Sequence, residues 1–376
     1  MRTGIADLPL HYGRAPRWLF EKMVKLSRAI IEVIVAEYGP DEFLKRISDP
    51  YWFQAFGSVL GFDWHSSGVT TTVCGAMKEG TKDIAFALGL FFCGGKGGTS
   101  RKTPKEIEKI AEKIGKDPKN LIYASKLSAK IDNTCVQDGY NLYHHMFIFT
   151  KDLNWAVIQQ GMNVVPLTLT PASNTEQAFS RWGRGNIKKG TARRYHWLSL
   201  KLNSFVCEPH NAVCCDMTQP CLNMVAEESE ESRRIVTEIS KEKPEKILKE
   251  TETILKMPTR HPVLKIDINP KYFYKVLLKT YESSPKDFEN LLQVEGIGPK
   301  TLRALALIGE LIYGAKPSFR DPARYSFAHG GKDGFPYPVD RETYNQSISF
   351  LESAITHAKI GETERLKALR KLKFIY

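Results

Sequence analysis

The sequence predicts an α+β protein: an N-terminal mixed α+β domain built on an antiparallel hairpin or sheet, then an all-helical C-terminal domain containing a helix-hairpin-helix. Three observations carry this expectation. Trp18, Leu19, Met23, Leu26, Ile30, Ile34 and Val35 recur at helical spacing within residues 17–48. Two apolar runs, Tyr143–Thr150 and Trp155–Gln160, flank the short connection Lys151-Asp152-Leu153-Asn154 and read as a hairpin. From Glu227 onward the composition turns to Glu, Lys and Ser and reads as helix. The expected domains are 1–226, a charged helical linker over 227–256, and 257–376.

Taken in order, the first helical run ends at Tyr38-Gly39-Pro40, and Asp41 is positioned to cap a second helix through Ile47. Residues 51–80, rich in aromatics, Gly, Thr and Val, read as strand and turn. An apolar strand then leaves Phe91-Phe92-Cys93 for the glycine loop Gly94–Lys102. Thr103 reads as an N-cap, with Pro104 at the first helical position and Glu106 closing a capping box. A helix over Pro118–Lys130 precedes the hairpin. Pro166–Gly190 is polar and reads as a loop insertion, after which Arg193–Pro209 resumes ordered structure.

The 376 residues carry 54 Lys and Arg against 42 Asp and Glu, a surplus of +12 that favours polyanionic partners. No apolar run reaches the ~18 residues that span a bilayer, so no membrane partner is expected. Met1–Asp7 has no secretory pattern, and a cytoplasmic protein is expected.

The chemically most specific stretch is Val294-Glu295-Gly296-Ile297-Gly298-Pro299-Lys300-Thr301, set between the helical patterns Asp287–Gln293 and Pro299–Tyr313. Gly296 and Gly298 permit positive φ and a tight turn. Pro299 suits a first helical turn. The amides freed at that helix start, with Ile297 in the turn and Lys300, Thr301 and Arg303 beside it, suit a DNA phosphate. An αα-hairpin without a ligand has the same outline. The motif resembles the helix-hairpin-helix elements of repair and recombination proteins, with Leu302 where a small residue is usual. The related glycosylases place a lyase lysine at the position of Lys300. Their aspartate has a counterpart in Pro338-Val339-Asp340, which lies about twice the family's distance away.

Several further phrases resemble one family. They are Arg2–Pro16, Gly61–Gly68, Gln137-Asp138-Gly139-Tyr140 with Tyr143-His144-His145, Gln159–Asn163, and Ala192–Trp197. They are similar to the DUF763 proteins, a mainly prokaryotic family. The resemblance implies a helix-hairpin-helix DNA-binding protein and admits a nuclease.

The residues themselves outline a catalytic site. In the hairpin, Asp138, His144, His145, Gln159 and Gln160 come to one end, with one His and one Gln on each face. Asp138 and His144, joined by Asp63 and His65 or by Glu208 and His210, offer oxygen and imidazole ligands for Mg²⁺ or Mn²⁺. Such an ion polarises a scissile phosphate and activates water. Lys126, Lys130, Arg193 and Arg194 supply flanking charge. The expected function is therefore DNA binding with metal-dependent DNA hydrolysis. The alternatives are a non-catalytic DNA-binding or architectural module, and a glycosylase/AP lyase acting through Lys300.

Two weaker signals remain. Gly94–Ser100 lacks the order of a nucleotide-binding loop, but Lys96, Arg101 and Lys102 suit a basic loop at DNA. Cys207, His210, Cys214, Cys215 and Cys221 match no closed four-ligand zinc spacing; free thiols or a disulfide are expected instead of structural zinc.

Overall fold

The computed structural model describes residues 15–62, 68–163, 191–215, 218–256, 270–323 and 341–373. Helix α1 (Arg17–Tyr38) buries Met23, Ile30 and Ile34 at the expected spacing and ends at Gly39, whose φ is +84°. Helix α2 (Pro40–Ile47) has Gly39 as its N-cap and so begins two residues earlier than expected. Asp41 lies inside its first turn, where its carboxylate accepts from Asn154 at 2.8 Å instead of capping the helix.

Residues 51–80 differ from the strand expectation. They form α3 (Pro50–Leu60) and α4 (Gly68–Thr81). Asp49 caps α3 by accepting from the amides of Tyr51 and Trp52 at 2.8 and 2.9 Å. Every residue of α3 except Ser58 is buried, so this helix has no polar stripe to reveal its period.

A single turn, α5 (Ala85–Leu88), leads to β1 (Leu90–Lys96). A 3-10 turn over Gly97–Lys102 runs directly into α6 (Thr103–Lys113). The expected capping box is absent. Thr103 donates to the Ser100 carbonyl at 2.6 Å, and Glu106 accepts from the Gly94 amide and from Lys78, both at 2.7 Å.

After α7 (Lys119–Thr134) come β2 (Val136–Gln137), β3 (Asn141–Thr150), β4 (Trp155–Asn163), β5 (Thr191–Leu198), β6 (Ala212–Cys214) and β7 (Leu222–Asn223). The remaining helices are α8 (Glu230–Ile239), α9 (Pro244–Lys256), α10 (Pro270–Ser283), α11 (Phe288–Gln293), α12 (Pro299–Tyr313), α13 (Arg341–His357) and α14 (Glu362–Lys373).

The expected β3–β4 hairpin is present, and it forms the centre of a five-stranded antiparallel sheet ordered β1-β3-β4-β5-β6. A separate pair joins β2 to β7. Helices cover both faces of the large sheet. On one face Phe147, Phe149, Val157, Tyr195 and Trp197 pack in a cluster with α6, α7, α8 and α10 to α12. On the other, Phe92, Met146, Ile148 and Ile158 pack with α1 to α4, α13 and α14. Burial on both faces explains why the central strands read as near-continuous apolar runs.

These two clusters run across the boundaries expected at 226/227 and 256/257. Val236, Ile239 and Ile247, from the charged stretch, are buried with Leu305 and Ile308 of α12. Ile348, Leu351, Ala368 and Leu372 close on the first helices. Between 227 and 252 most Glu and Lys side chains are exposed, on the outer side of the packed helices. The Pro166–Gly190 insertion falls within 164–190, outside the described residues. Among the described residues no helix is long and apolar enough to cross a membrane.

Candidate functional site

The glycine hairpin is built by α11, the turn Val294–Gly298 and α12. Asp287 caps α11 through the Asn290 amide at 2.7 Å. Ile297 and Leu302 are buried, so the larger residue at 302 fills core space without opening the turn. Gly296 has φ +95°, and a Cβ there would sit 2.7 Å from Val276 Cγ2. Gly298 is different: at φ −129° and ψ −175° it is extended, and a Cβ there would meet nothing nearer than the Gly296 carbonyl oxygen at 4.0 Å. Positive φ, expected at both glycines, is needed at Gly296 alone.

Gly298 is the N-cap of α12, no side chain caps the helix there, and Pro299 occupies its first turn. Lys300 is exposed. Thr301 is buried and donates back to the Gly296 carbonyl at 3.2 Å, so it holds the turn in shape. Lys130 of α7 donates to the Ile297 carbonyl, and Gln137 donates to the Pro299 carbonyl at 2.9 Å while accepting from Arg303 at 2.8 Å. Desolvation holds the Lys130 ammonium below the usual lysine range. Alongside, Lys271, Lys275 and Lys279 are exposed on α10 at four-residue spacing, which places them on one helix face. Lys279 pairs with Glu295 of the turn at 2.6 Å.

The sheet carries two polar rows. Strand neighbours alternate faces. In register, His145 opposes Gln159, which opposes Tyr195; His144 opposes Gln160, which opposes Arg194. On the α7 face Gln159 donates to Asp132 at 2.5 Å, which leaves its carbonyl oxygen to face His145 Nδ1 at 2.9 Å. His145 therefore carries its proton on Nδ1, and Nε2 accepts from Ser125 at 2.9 Å. Burial pushes the His145 pKa down, consistent with a neutral ring. Asp132 also accepts from Trp197 at 3.0 Å and meets His210 Nε2 at 2.5 Å.

Beside this network Asp138 accepts from Tyr195 at 2.7 Å and from Arg193 at 2.8 Å. Arg193 also reaches Asp321 at 2.8 Å and lies 4.6 Å from the Tyr140 ring centroid. Burial opposes the guanidinium charge, but Asp138, Cys215, Tyr195 and Asp321 around it together outweigh this and hold the group firmly protonated.

On the opposite face Arg194 donates to His196 Nε2 at 2.8 Å and to Gln54 at 3.2 Å, and stacks 4.3 Å from the Phe53 ring centroid. Gln160 donates to the Tyr143 hydroxyl at 2.5 Å. His144 is buried, and neither ring nitrogen has a hydrogen-bond partner. Burial, with the charges of His145 and Lys96, pushes its pKa down to about 3.

A family described as proteins of unknown function, DUF763, matches residues 4–167 and 185–339. The chain belongs to the DUF763 family. The match is interrupted inside the segment read as an insertion and stops before α13. No curated protein and no solved structure matches the chain.

In this DUF763 protein the expected site residues separate. Asp138 lies with Tyr195 and Arg193, while His144 projects from the other face of the sheet. His210 joins Asp132, and Glu208 is exposed and pairs with Arg320 at 2.9 Å. Asp63, His65 and Asp340 lie outside the described residues. Among the described residues no three His, Cys, Asp or Glu side chains stand together as metal ligands. The set expected for Mg²⁺ or Mn²⁺ is thus not assembled there.

Arg193 and Arg194, expected at DNA, are buried in the polar rows and hold the sheet to its covering segments. Lys130, expected in catalysis, supports the hairpin. None of the seven cysteines forms a disulfide. Asp132 was not singled out from the sequence. The available signal was a carboxylate on the helix face that buries Leu121, Ala124, Leu127, Ser128 and Ile131.

Proposed function

We propose that this DUF763 protein binds the sugar-phosphate backbone of DNA through the hairpin between α11 and α12. One observation carries the reading: α12 starts at an accessible glycine turn with no side chain capping it, next to the exposed Lys300. Helix-start amides and the helix dipole favour an anion at that point. The Lys271, Lys275 and Lys279 stripe extends the positive surface along α10. Buried Ile297 and the support from Lys130 and Gln137 hold the turn in place before a ligand arrives.

Contacts of this kind position a protein on the backbone and read no bases. Binding is therefore expected to be indifferent to sequence and steep in salt. Lys300 enters as a phosphate contact in this reading, not as a lyase nucleophile. The proposal concerns binding of the strand.

The test is fluorescence anisotropy with two labelled duplexes of unrelated sequence across a salt series. Lys300→Glu, and separately Lys275→Glu, should weaken both duplexes about equally, by roughly tenfold, and flatten the salt slope. Wild-type affinity in both variants would remove the hairpin from DNA recognition.

A further inference from the structure

The sheet face turned toward α3 and α4 carries a second site. Lys96, His144, Gln160 and Arg194 are successive register partners on β1, β3, β4 and β5, so the row crosses four strands. Apolar Met146 and Ile158 follow in the next row. His144 is the anomaly. A neutral imidazole has one N–H to donate and one lone pair to fill, yet both nitrogens are buried without a partner. Leaving a buried polar group without a partner is costly, and native interiors seldom keep one without a use.

The surroundings define what would satisfy it. Lys96 lies opposite His144 across the β1–β3 seam, and its charge acts on the ring. Arg194, two strands away, carries the other positive charge of the row. A metal cation would be repelled by that field, and a hydrocarbon would leave the imidazole unpaired. We propose that this row binds a phosphate-type oxyanion, held by the His144 N–H between the Lys96 and Arg194 charges. The row opens at the Lys96 end. Lys96 is exposed, and half-buried Tyr143 sits at the irregularity between Leu142 and His144. These two side chains move to admit the anion. The site stands on different residues from the hairpin and does not depend on it.

The experiment is thermal unfolding of the full chain with inorganic phosphate titrated against sodium chloride of equal ionic strength. A ligand that binds only the folded state raises Tm in proportion to its occupancy. Phosphate should raise Tm saturably by several degrees beyond chloride. His144→Leu should abolish that shift, and Lys96→Ala, at an exposed position, should move its midpoint at least fivefold higher. A Lys300→Glu protein should keep the full phosphate response even if it loses duplex binding, which separates this site from the DNA reading. Repeating the titration on the Lys300→Glu protein with an oligonucleotide lacking terminal phosphates distinguishes a phosphodiester from the free anion, and a saturable shift with either that His144→Leu removes supports the oxyanion site. The proposal falls if wild type shows no phosphate-specific shift. It falls equally if Lys96→Ala responds like wild type, or if a folded His144→Leu does.

Discussion

Asp132 gathers three donors from different parts of the chain: Gln159 on β4, Trp197 on β5 and His210 in the loop that follows. One carboxylate therefore ties α7 to two strands and a connection. Removing it leaves three buried or half-buried polar groups to find new partners, each at about 1–3 kcal/mol. Asp132→Ala is expected to lose about 3–5 kcal/mol of stability, and Asp132→Asn less, since one oxygen still accepts. Urea unfolding midpoints decide this; a loss below about 1 kcal/mol would mean the network is dispensable. This residue was hidden in the sequence because its partners lie far from it along the chain. The hairpin residues were legible in part: alternation placed one His and one Gln on each face. It could not say that Asp138 would join Tyr195 and Arg193 instead of His144. Adjacent arginines in a strand look alike as letters, but Arg193 and Arg194 point to opposite faces and are both consumed by internal bonds.

At the scale of elements, the hairpin turn separates two glycines that the sequence treats alike. Gly296→Ala meets both a positive φ and Val276 at 2.7 Å, and should cost about 1–3 kcal/mol. Gly298→Ala meets only an ordinary contact with the Gly296 carbonyl oxygen at 4.0 Å in extended backbone and should change stability by less than about 1 kcal/mol. Equal effects in the two variants, measured by thermal unfolding, would contradict the described turn. Helix α1, with one wet face, was legible by its stripe, and the β3–β4 hairpin, buried on both faces, by its short turn. Helices α3 and α4 were not. Their Phe, Trp, Thr and Val content suits strands by propensity, and in α3 burial nearly all round removes the polar positions that mark a helical period, whereas α4 buries one face through Val69, Val73, Met77 and Gly80. The Asp49-Pro50 start was the available clue, a side-chain cap followed by proline at the first helical position.

At the scale of the whole molecule, three buried imidazoles among the described residues make stability sensitive to acid. Burial lowers the pKa of His144, His145 and His196 in the folded chain. Unfolded histidine titrates near about 6.5. As pH falls through that value the unfolded chain takes up protons that the folded chain refuses, so stability is present above it and is lost on acidification. Each imidazole contributes up to about 1.4 kcal/mol per pH unit in that window. Unfolding midpoints should therefore drop between pH 7.5 and pH 5, above the carboxylate range. His144→Leu should remove about one proton's worth of the slope. A stability profile flat over that interval would show that these rings are protonated in the fold.

The sequence alone determined the α+β class, the family, the central hairpin and the glycine turn, because each rests on neighbours within a few residues of one another. Only the tertiary structure decided which side chains meet. It wrapped the sheet in helices on both faces, drew the charged 227–256 segment and the last two helices into the cores, and turned both arginines inward. The reason is that burial pairs a residue with whatever packs against its face, and that partner is chosen by the path of the whole chain.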